Sequence, residues 1–350
     1  MSVCVRILQA NHGDCILVSH EGPLGVFNLL IDGGNAPTFR YGPRGRYAGA
    51  LCHALDELKE KGQHIDLAIL THIDDDHIDG LKKAFEKTGY LGDMTKSIWF
   101  NSSRLITCYF KTAEIPENNI YLSDDTAQTS IKQGKEFEAL LEEIGCRRES
   151  VIIAGKTHEI GPFTFKILSP DEEKLNKLLH KWPTETDSGV TSAHENDYSL
   201  SLEDIWKDDF FVSDKSVYNG SSIAFILEAD GKAMLFLGDS HEDIIIRNLR
   251  ALGYSEDNKL NAELVKISHH GSQYNTSVNF LSLINSPRHI ISTNGLKHGL
   301  PNKRTIARIL ASSHGNIYFN YKSVIDNLLL PTEIDTYSSR FEAIEGEIWL

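Results

Sequence analysis

Residues 70–80, LTHIDDDHIDG, carry two histidines and four aspartates in the eight positions from His72 to Asp79, directly after an apolar run. His72, Asp74 and Asp76 occupy alternate positions, and alternate side chains of an extended segment point the same way. His77 follows at what reads as the first turn of a helix. Imidazole and carboxylate suit borderline and hard divalent cations. Two such cations repel each other unless a carboxylate bridges them, so an acid-rich set favours a pair. A helix start also attracts aspartates, through capping and the helix dipole. That explanation suffices for Asp75 and Asp79. It does not account for two histidines framing three acids.

Two further apolar runs end in residues of the same kind. MLFLGDS places Asp239 after one, and VKISHHGS places His269 and His270 after another. Asp239 alone could cap the helix that follows, and a lone histidine is more often a satisfied core residue. Three strand ends with ligand-type side chains are a stronger signal, because neighbouring strands of one sheet bring their ends to a common rim.

The elements that must position these residues can be read from periodicity. VCVRILQ, DCILVSH and GVFNLLIDGG read as an early meander, and residues 47–61 as a helix closed by Gly62. HIDLAILTH reads as a buried strand, HIDGLKKAFEKTG as a helix ending at Gly89, and KSIWFN as a strand. TAQTSIKQGKEFEALLEEIG is helical, while ESVIIAG and FTFKILSP look like strands. Residues 171–218 are polar and acidic, an excursion with one helix at 171–180. SSIAFILEADGKAMLFLGD is a hairpin, followed by the helix SHEDIIIRNLRALG and the strand AELVKIS. TSVNFLSLIN and NKRTIARILASSHG read as helices, and RHIISTNG, NIYFNY and VIDNLLL as strands. The two halves share a plan: a strand pair, a helix, then a strand ending in a loop that bears His72 or His269. Adjacent strands argue against a pure βαβ chain. Two mixed β-sheets with helices on their outer faces fit better.

At 350 residues, 41% hydrophobic and 24% charged, the chain can bury one large core. We read residues 1–350 as a single domain, with 101–150 and 171–218 as insertions. The net charge of −14 repels polyanions at long range and disfavours a general nucleic-acid binder. One local basic patch stands out, FRYGPRGRY, with Arg40, Arg44 and Arg46. Five cysteines without a CxxC pair fit a reducing compartment. The start of the chain lacks a signal-peptide layout and no apolar run approaches the ~20 residues of a membrane span. The expectation is a cytoplasmic protein without a membrane partner.

THIDDDHIDG, FLGDS and KISHHGS, in this order, resemble the metallo-β-lactamase superfamily, whose T-H-x-H-x-D-H signature here has Asp74 at the second histidine. This H-x-D-x-D-H variant, with NGSSIAFIL and SHHGS, is similar to the hydrolase domain of bacterial DNA-uptake competence channel proteins (ComEC-type). The similarity runs from GDCILV and LLIDGG to KHGLP. It implies an α/β, four-layer αββα sandwich. It implies that His72 and Asp74 hold one metal ion, Asp76 and His77 another, that Asp239 bridges them and that His269 is the last ligand histidine. Asp32 would brace the ligand loop. The superfamily's middle histidine has no clean match. Asn219 would take its place, with the HENDYSLS stretch at 194–201 as the other candidate. Lys297 and His298 would hold a substrate phosphate.

The activity implied is that of a binuclear hydrolase with two divalent ions, Zn²⁺ or Mn²⁺. It would act as a phosphodiesterase or nuclease on DNA or a nucleotide phosphodiester, through a hydroxide between the metals. Asp76 would orient the water and His270 would donate a proton or a hydrogen bond to the leaving oxygen. Other readings are a lactone or amide hydrolase, or an effector subunit of a multi-protein system such as antiphage defence, which would add a protein partner.

Overall fold

Period-two alternation sets the sheets. Within Ile16–Gly22 and Gly25–Ile31, Ile16, Val18, Leu29 and Ile31 turn to one face and Leu17 and Leu30 to the other. Both faces are apolar, so this sheet must be covered on both sides. The computed structural model describes residues 2–23, 25–112, 126–181 and 196–350.

The first sheet has seven strands in the order Glu347–Trp349, Ser2–Ile7, Ile16–Gly22, Gly25–Ile31, Leu67–Ile69, Ser97–Trp99 and Arg147–Arg148. Its first four strands are antiparallel, and the last three join in parallel. The second sheet has eight strands. Thr157–Ile160, Phe163–Ser169, Ala224–Ala229 and Lys232–Phe236 are antiparallel, and Leu264–Lys266, Arg288–Ile291, Asn316–Phe319 and Phe341–Ala343 continue in parallel.

A core shared by the two sheets includes Val5, Val18, Leu29, Phe165, Phe225 and Phe236. The opposite face of the first sheet packs on helices Ala50–Glu60 and Asp75–Glu86 through residues such as Leu55, Ile78 and Leu81. The opposite face of the second packs on Glu242–Ala251 and Lys303–Ser312 through Ile244, Leu249, Ile306 and Ile309. The result is an αββα sandwich, as the alternation and the adjacent strands imply. The shared plan of the halves is also visible. Leu67–Ile69 lies parallel to Gly25–Ile31, and Leu264–Lys266 lies parallel to Lys232–Phe236.

Three local expectations are corrected. VIDNLLL is not a closing strand but part of the helix Lys322–Leu328, with Val324 and Leu328 buried four residues apart on one face. The last strands are instead Phe341–Ala343 and Glu347–Trp349. ESVIIAG contributes no strand at its apolar core. Ile152 is buried and its backbone pairs with the Asn101 side chain, at 2.8 Å for each bond, so an amide replaces a neighbouring strand. In TSVNFLSLIN the helix is only Val278–Leu281, and Ile284–Asn285 is a short strand beside Leu260–Asn261.

Residues 101–150 supply helix Ser103–Phe110, helix Thr126–Glu143 and the edge strand Arg147–Arg148. Residues 171–218 contain helices Glu172–Lys181 and Leu202–Lys207, and lead into Val217–Gly220. His194 and Glu195 of HENDYSLS lie outside the described residues. Among the described residues, no helix is long and apolar enough to cross a membrane.

Candidate metal centre

Strand Leu67–Ile69 ends just before His72, and helix Asp75–Glu86 begins three residues later. Asp74 stands at the N-cap position but makes no side-chain capping bond. Its carboxylate lies instead 3.6 Å from His72 Nε2. Asp239 does not cap either, since the next helix starts at Glu242 with His241 at its N-cap. These acids are therefore not accounted for by helix ends.

Four imidazoles surround one carboxylate oxygen. Asp239 Oδ2 is 3.4 Å from His77 Nε2, 3.7 Å from His72 Nε2, 3.7 Å from His270 Nε2 and 3.8 Å from His269 Nε2. Asp76 closes one side, with Oδ2 at 3.2 Å from His270 Nε2 and Oδ1 at 3.9 Å from His77 Nε2. Asp76, His77 and His270 form one group able to share a cation, and His72, His77 and Asp239 form another.

The other nitrogen of each ring is tied down, which fixes the direction of Nε2. His77 Nδ1 lies 2.8 Å from Asp32 Oδ2. Thr71 donates to both oxygens of Asp32, through its backbone and its hydroxyl, and the same hydroxyl oxygen sits 3.1 Å from His72 Nδ1. His270 Nδ1 donates to the Ser292 carbonyl at 2.9 Å, and His269 Nδ1 to Asn275 Oδ1 at 3.0 Å. The inward atoms face carboxylates without hydrogen bonding. Among the described residues, Nε2 of His72, His77 and His270 and Oδ1 of Asp239 are buried and make no hydrogen bond. Orphaned buried polar groups are costly, and lone pairs converging at these spacings fit divalent cations.

The charges agree. Burial alone would protonate Asp239, but His77, His270 and His269 hold it well below the usual carboxylate range. Burial alone would discharge His270. The carboxylates of Asp239, Asp14 and Asp76 outweigh that and push it up to about 10. His269 is raised to about 9, with Asp239 and Asp214 overcoming its burial. The site thus demands positive charge at these nitrogens, which protons or metal ions can supply.

Close backbone approaches set the geometry. A Cβ on Gly80 would fall 1.9 Å from the Gly33 carbonyl oxygen, so only glycine lets the helix meet the Asp32–Gly33 turn. There Gly33 N donates to the His77 carbonyl at 2.8 Å. A Cβ on Gly13 would similarly sit 1.9 Å from the Asp76 carbonyl oxygen. Asp32, His269 and His270 take positive φ values of 56°, 47° and 52°. Strain of this kind in non-glycine residues persists only where the surroundings hold it.

The structure thus brings together His72, Asp74, Asp76, His77, Asp239, His269 and His270, with Asp32 behind His77. It puts His270, not His269, in the group with Asp76 and His77. Asn219 sits behind His269. Its amide donates to Asp214 Oδ2 at 2.7 Å and stands 3.3 Å from His269 Nδ1. Lys297 and His298, expected to hold a substrate phosphate, lie outside the ligand group. Both are exposed, and the His298 ring meets that of His12 edge-on, 6.2 Å between centroids. His12 is held at about 4 by burial, against the pull of Asp76 and with Lys297 and His270 reinforcing it. His12 and His298 both feel the charges of Asp76, Lys297 and His270, so His12, Lys297 and His298 mark the exposed, Asp76 side of the group, which we take as its mouth.

Sequence reasoning missed four supporting residues. Asp14 bridges the sheets, with Oδ2 at 2.6 Å from the buried Lys266 ammonium and Oδ1 at 3.5 Å from His270 Nδ1. Asp214 Oδ2 also accepts from Asn275 at 3.1 Å and lies 3.5 Å from His269 Nδ1. Asp14 belongs to GDCILV, a stretch noticed only for its similarity. His12 precedes it, and Asp214 and Asn275 carry no signal of their own.

No family model matches the sequence, and no curated protein matches it. Solved structures do resemble it. The metallo-β-lactamase fold protein YhfI from Bacillus subtilis is 13% identical, with 100% of this chain and 99% of that one covered and a TM-score of 0.43. A diphosphatase of the PhnP family is 10% identical, covering 100% and 98%, with a TM-score of 0.43. Zn²⁺-bound PqqB from Methylobacterium extorquens is 12% identical, covering 100% and 99%, with a TM-score of 0.42. Likeness at this level does not decide an activity, so the functional reading rests on the atoms of the site.

Proposed function

We propose that the protein is a binuclear metal-dependent phosphodiesterase acting on nucleic acid or a nucleotide phosphodiester. The observation that supports this most is the convergence of four Nε2 atoms on Asp239 Oδ2, at 3.4 to 3.8 Å, with their Nδ1 atoms engaged elsewhere. Asp76, His77 and His270 would hold one ion, and His72, Asp74 and His269 the other, with Asp239 between them. His269 thereby fills the place of the missing middle histidine, and His270 is a ligand rather than the proton donor. Asn219 and Asp214 orient His269 from behind. The mixed donor set, four imidazoles and three carboxylates, suits Mn²⁺ as well as Zn²⁺.

When bound, such a pair of ions acidifies water towards a pKa of ~7 and balances charge on phosphoryl oxygens. The chain's own contributions lie at the mouth. Asp76 is partly open, 19% of its side chain being exposed, and can hold the attacking water in line. His12, Lys297 and His298 present donors to the phosphoryl and leaving oxygens.

Metal analysis of the purified protein is the first test, and two equivalents of Mn²⁺ or Zn²⁺ are expected. With Mn²⁺ the protein should cleave bis(p-nitrophenyl) phosphate, and Asp76→Ala with His77→Ala should abolish this. A double variant that retains near wild-type turnover sinks the mechanism. Nitrocefin and a lactone serve as controls, and faster turnover of either would assign the site to C–N or C–O bond cleavage.

A further inference from the structure

The basic patch FRYGPRGRY forms a small hairpin with two strands, Arg40–Tyr41 and Tyr47–Ala48, paired Arg40 to Ala48 and Tyr41 to Tyr47. It is firmly seated. Gly49 N donates to the Phe39 carbonyl at 2.8 Å and closes its base. Arg40 is a structural clamp, not part of a free patch. One of its guanidinium nitrogens donates to the Gly45 carbonyl at 3.4 Å, the other to the Tyr90 hydroxyl at 3.0 Å, and the group lies over the Phe39 and Tyr90 rings. Gly42, Arg44 and Gly45 take φ of 78°, 55° and 65°, which folds the tip tightly and turns Arg44 outward to solvent.

This clamped hairpin presents an unusual face for an acidic protein. Tyr41 and Tyr47 are 50% and 48% exposed, with ring centroids 5.4 Å apart and planes 33° from parallel. The Arg46 guanidinium lies 5.8 Å from the Tyr47 ring centre. Arg44 and Arg46 are exposed and, among the described residues, enter no ion pair, although the chain carries a net charge of −14. Nearby Asp56 is engaged by Lys59 at 2.6 Å, which reduces its weight against an incoming anion.

Open aromatic faces beside unpaired guanidiniums bind unstacked bases and phosphates, the general chemistry of single-strand recognition. A duplex keeps its bases stacked away from such rings, and an acidic peptide would use the arginines but not the ring faces. The hairpin is also close to the candidate metal centre. Asn35, at the start of the short helix Ala36–Phe39 that leads into it, bonds His12 at the mouth, with Nδ2 and Nε2 3.0 Å apart. Tyr41 follows Asn35 by six positions, a reach of at most about 20 Å.

We infer that the Arg40–Ala48 hairpin is a docking platform for single-stranded nucleic acid, with Tyr41 and Tyr47 stacking bases and Arg44 and Arg46 holding phosphates on the strand that runs to the site. This rests on the phosphodiesterase reading for its catalytic sense, but not for the binding itself.

Binding of fluorescein-labelled oligothymidylate and oligouridylate to the full chain in EDTA tests it without catalysis. Wild type should bind one or both, and Tyr41→Ala with Tyr47→Ala should weaken binding by more than about tenfold. Arg44→Glu with Arg46→Glu should do the same and lower the slope of log affinity against log salt by about 1.4. Both double variants should turn over bis(p-nitrophenyl) phosphate like wild type while their KM for an oligonucleotide rises. Unchanged oligonucleotide affinity in both variants overturns the inference, as does wild-type binding to polyglutamate or to duplex at least as tight as to single strands. Single-strand binding through the hairpin without any cleavage would sink the proposed activity and leave the platform standing. Cleavage that ignores the hairpin would do the reverse.

Discussion

Asp32 shows how much a single buried side chain can control. Its two oxygens accept from Thr71 N and Thr71 Oγ1, and Oδ2 also faces His77 Nδ1. It therefore fixes the tautomer and direction of His77, and through Thr71 the ring of His72. Replacing it with alanine leaves three donors unpaired in the core. We expect Asp32→Ala to lower metal affinity by about 10- to 100-fold, measured by competition with a chromogenic chelator. Stability should fall by roughly 1–3 kcal/mol. Unchanged metal affinity would mean that His77 is held by packing alone.

The elements carry a second set of consequences. His289 lies within Arg288–Ile291, between two parallel neighbours, and is fully buried, and among the described residues neither ring nitrogen makes a hydrogen bond of good geometry. Burial lowers it from 6.5 to about 4, so the strand holds it neutral. Above pH 6.5 neither folded nor unfolded chain protonates it, and its contribution is constant. Between pH 6.5 and 4 only the unfolded chain takes up the proton, so stability falls as the medium becomes more acid. The loss sums to roughly 3 kcal/mol at about 1.4 kcal/mol per unit. Denaturant titrations of wild type and His289→Leu should show this acid limb flattened in the variant. Parallel limbs would contradict the assignment.

At the scale of the whole molecule, the candidate centre belongs to neither sheet alone. His72, Asp74, Asp76 and His77 follow a strand of the first sheet, and Asp239, His269 and His270 follow two strands of the second. The halves are joined there by Ile223 N donating to the Thr71 carbonyl at 3.0 Å and by the buried Asp14–Lys266 pair. Ions held at this seam would favour the folded chain, because neither half carries the whole ligand set. At a hundredfold excess over Kd each would add about 2.7 kcal/mol. Melting should therefore rise with Mn²⁺ or Zn²⁺ and fall with EDTA, as one transition. Metal that shifts only part of a two-step melt would show that the halves unfold independently.

Much of this protein is legible along the chain. Period-two runs mark the strands, 3.6-residue spacing marks Asp75–Glu86 and Glu242–Ala251, and three apolar runs ending in histidine or aspartate announce a common rim. These are local signals, because a side chain's face follows from its neighbours' spacing. What spacing cannot decide is that two adjacent histidines both turn inward, and which neighbours each of them meets. His269 and His270 differ by one position, and their directions are set by Asn275 nearby and by Asp214, Ser292 and Asp14, which arrive from farther along the chain. The same holds for Asn219, which by sequence stands in for a ligand and in space supports His269. It also holds for the basic patch, where one arginine is a clamp and two, among the described residues, enter no ion pair. Sequence alone determined the kinds of groups and the elements that bear them. Only tertiary structure decided which lone pairs meet, because the partners that orient each ring lie up to hundreds of residues away.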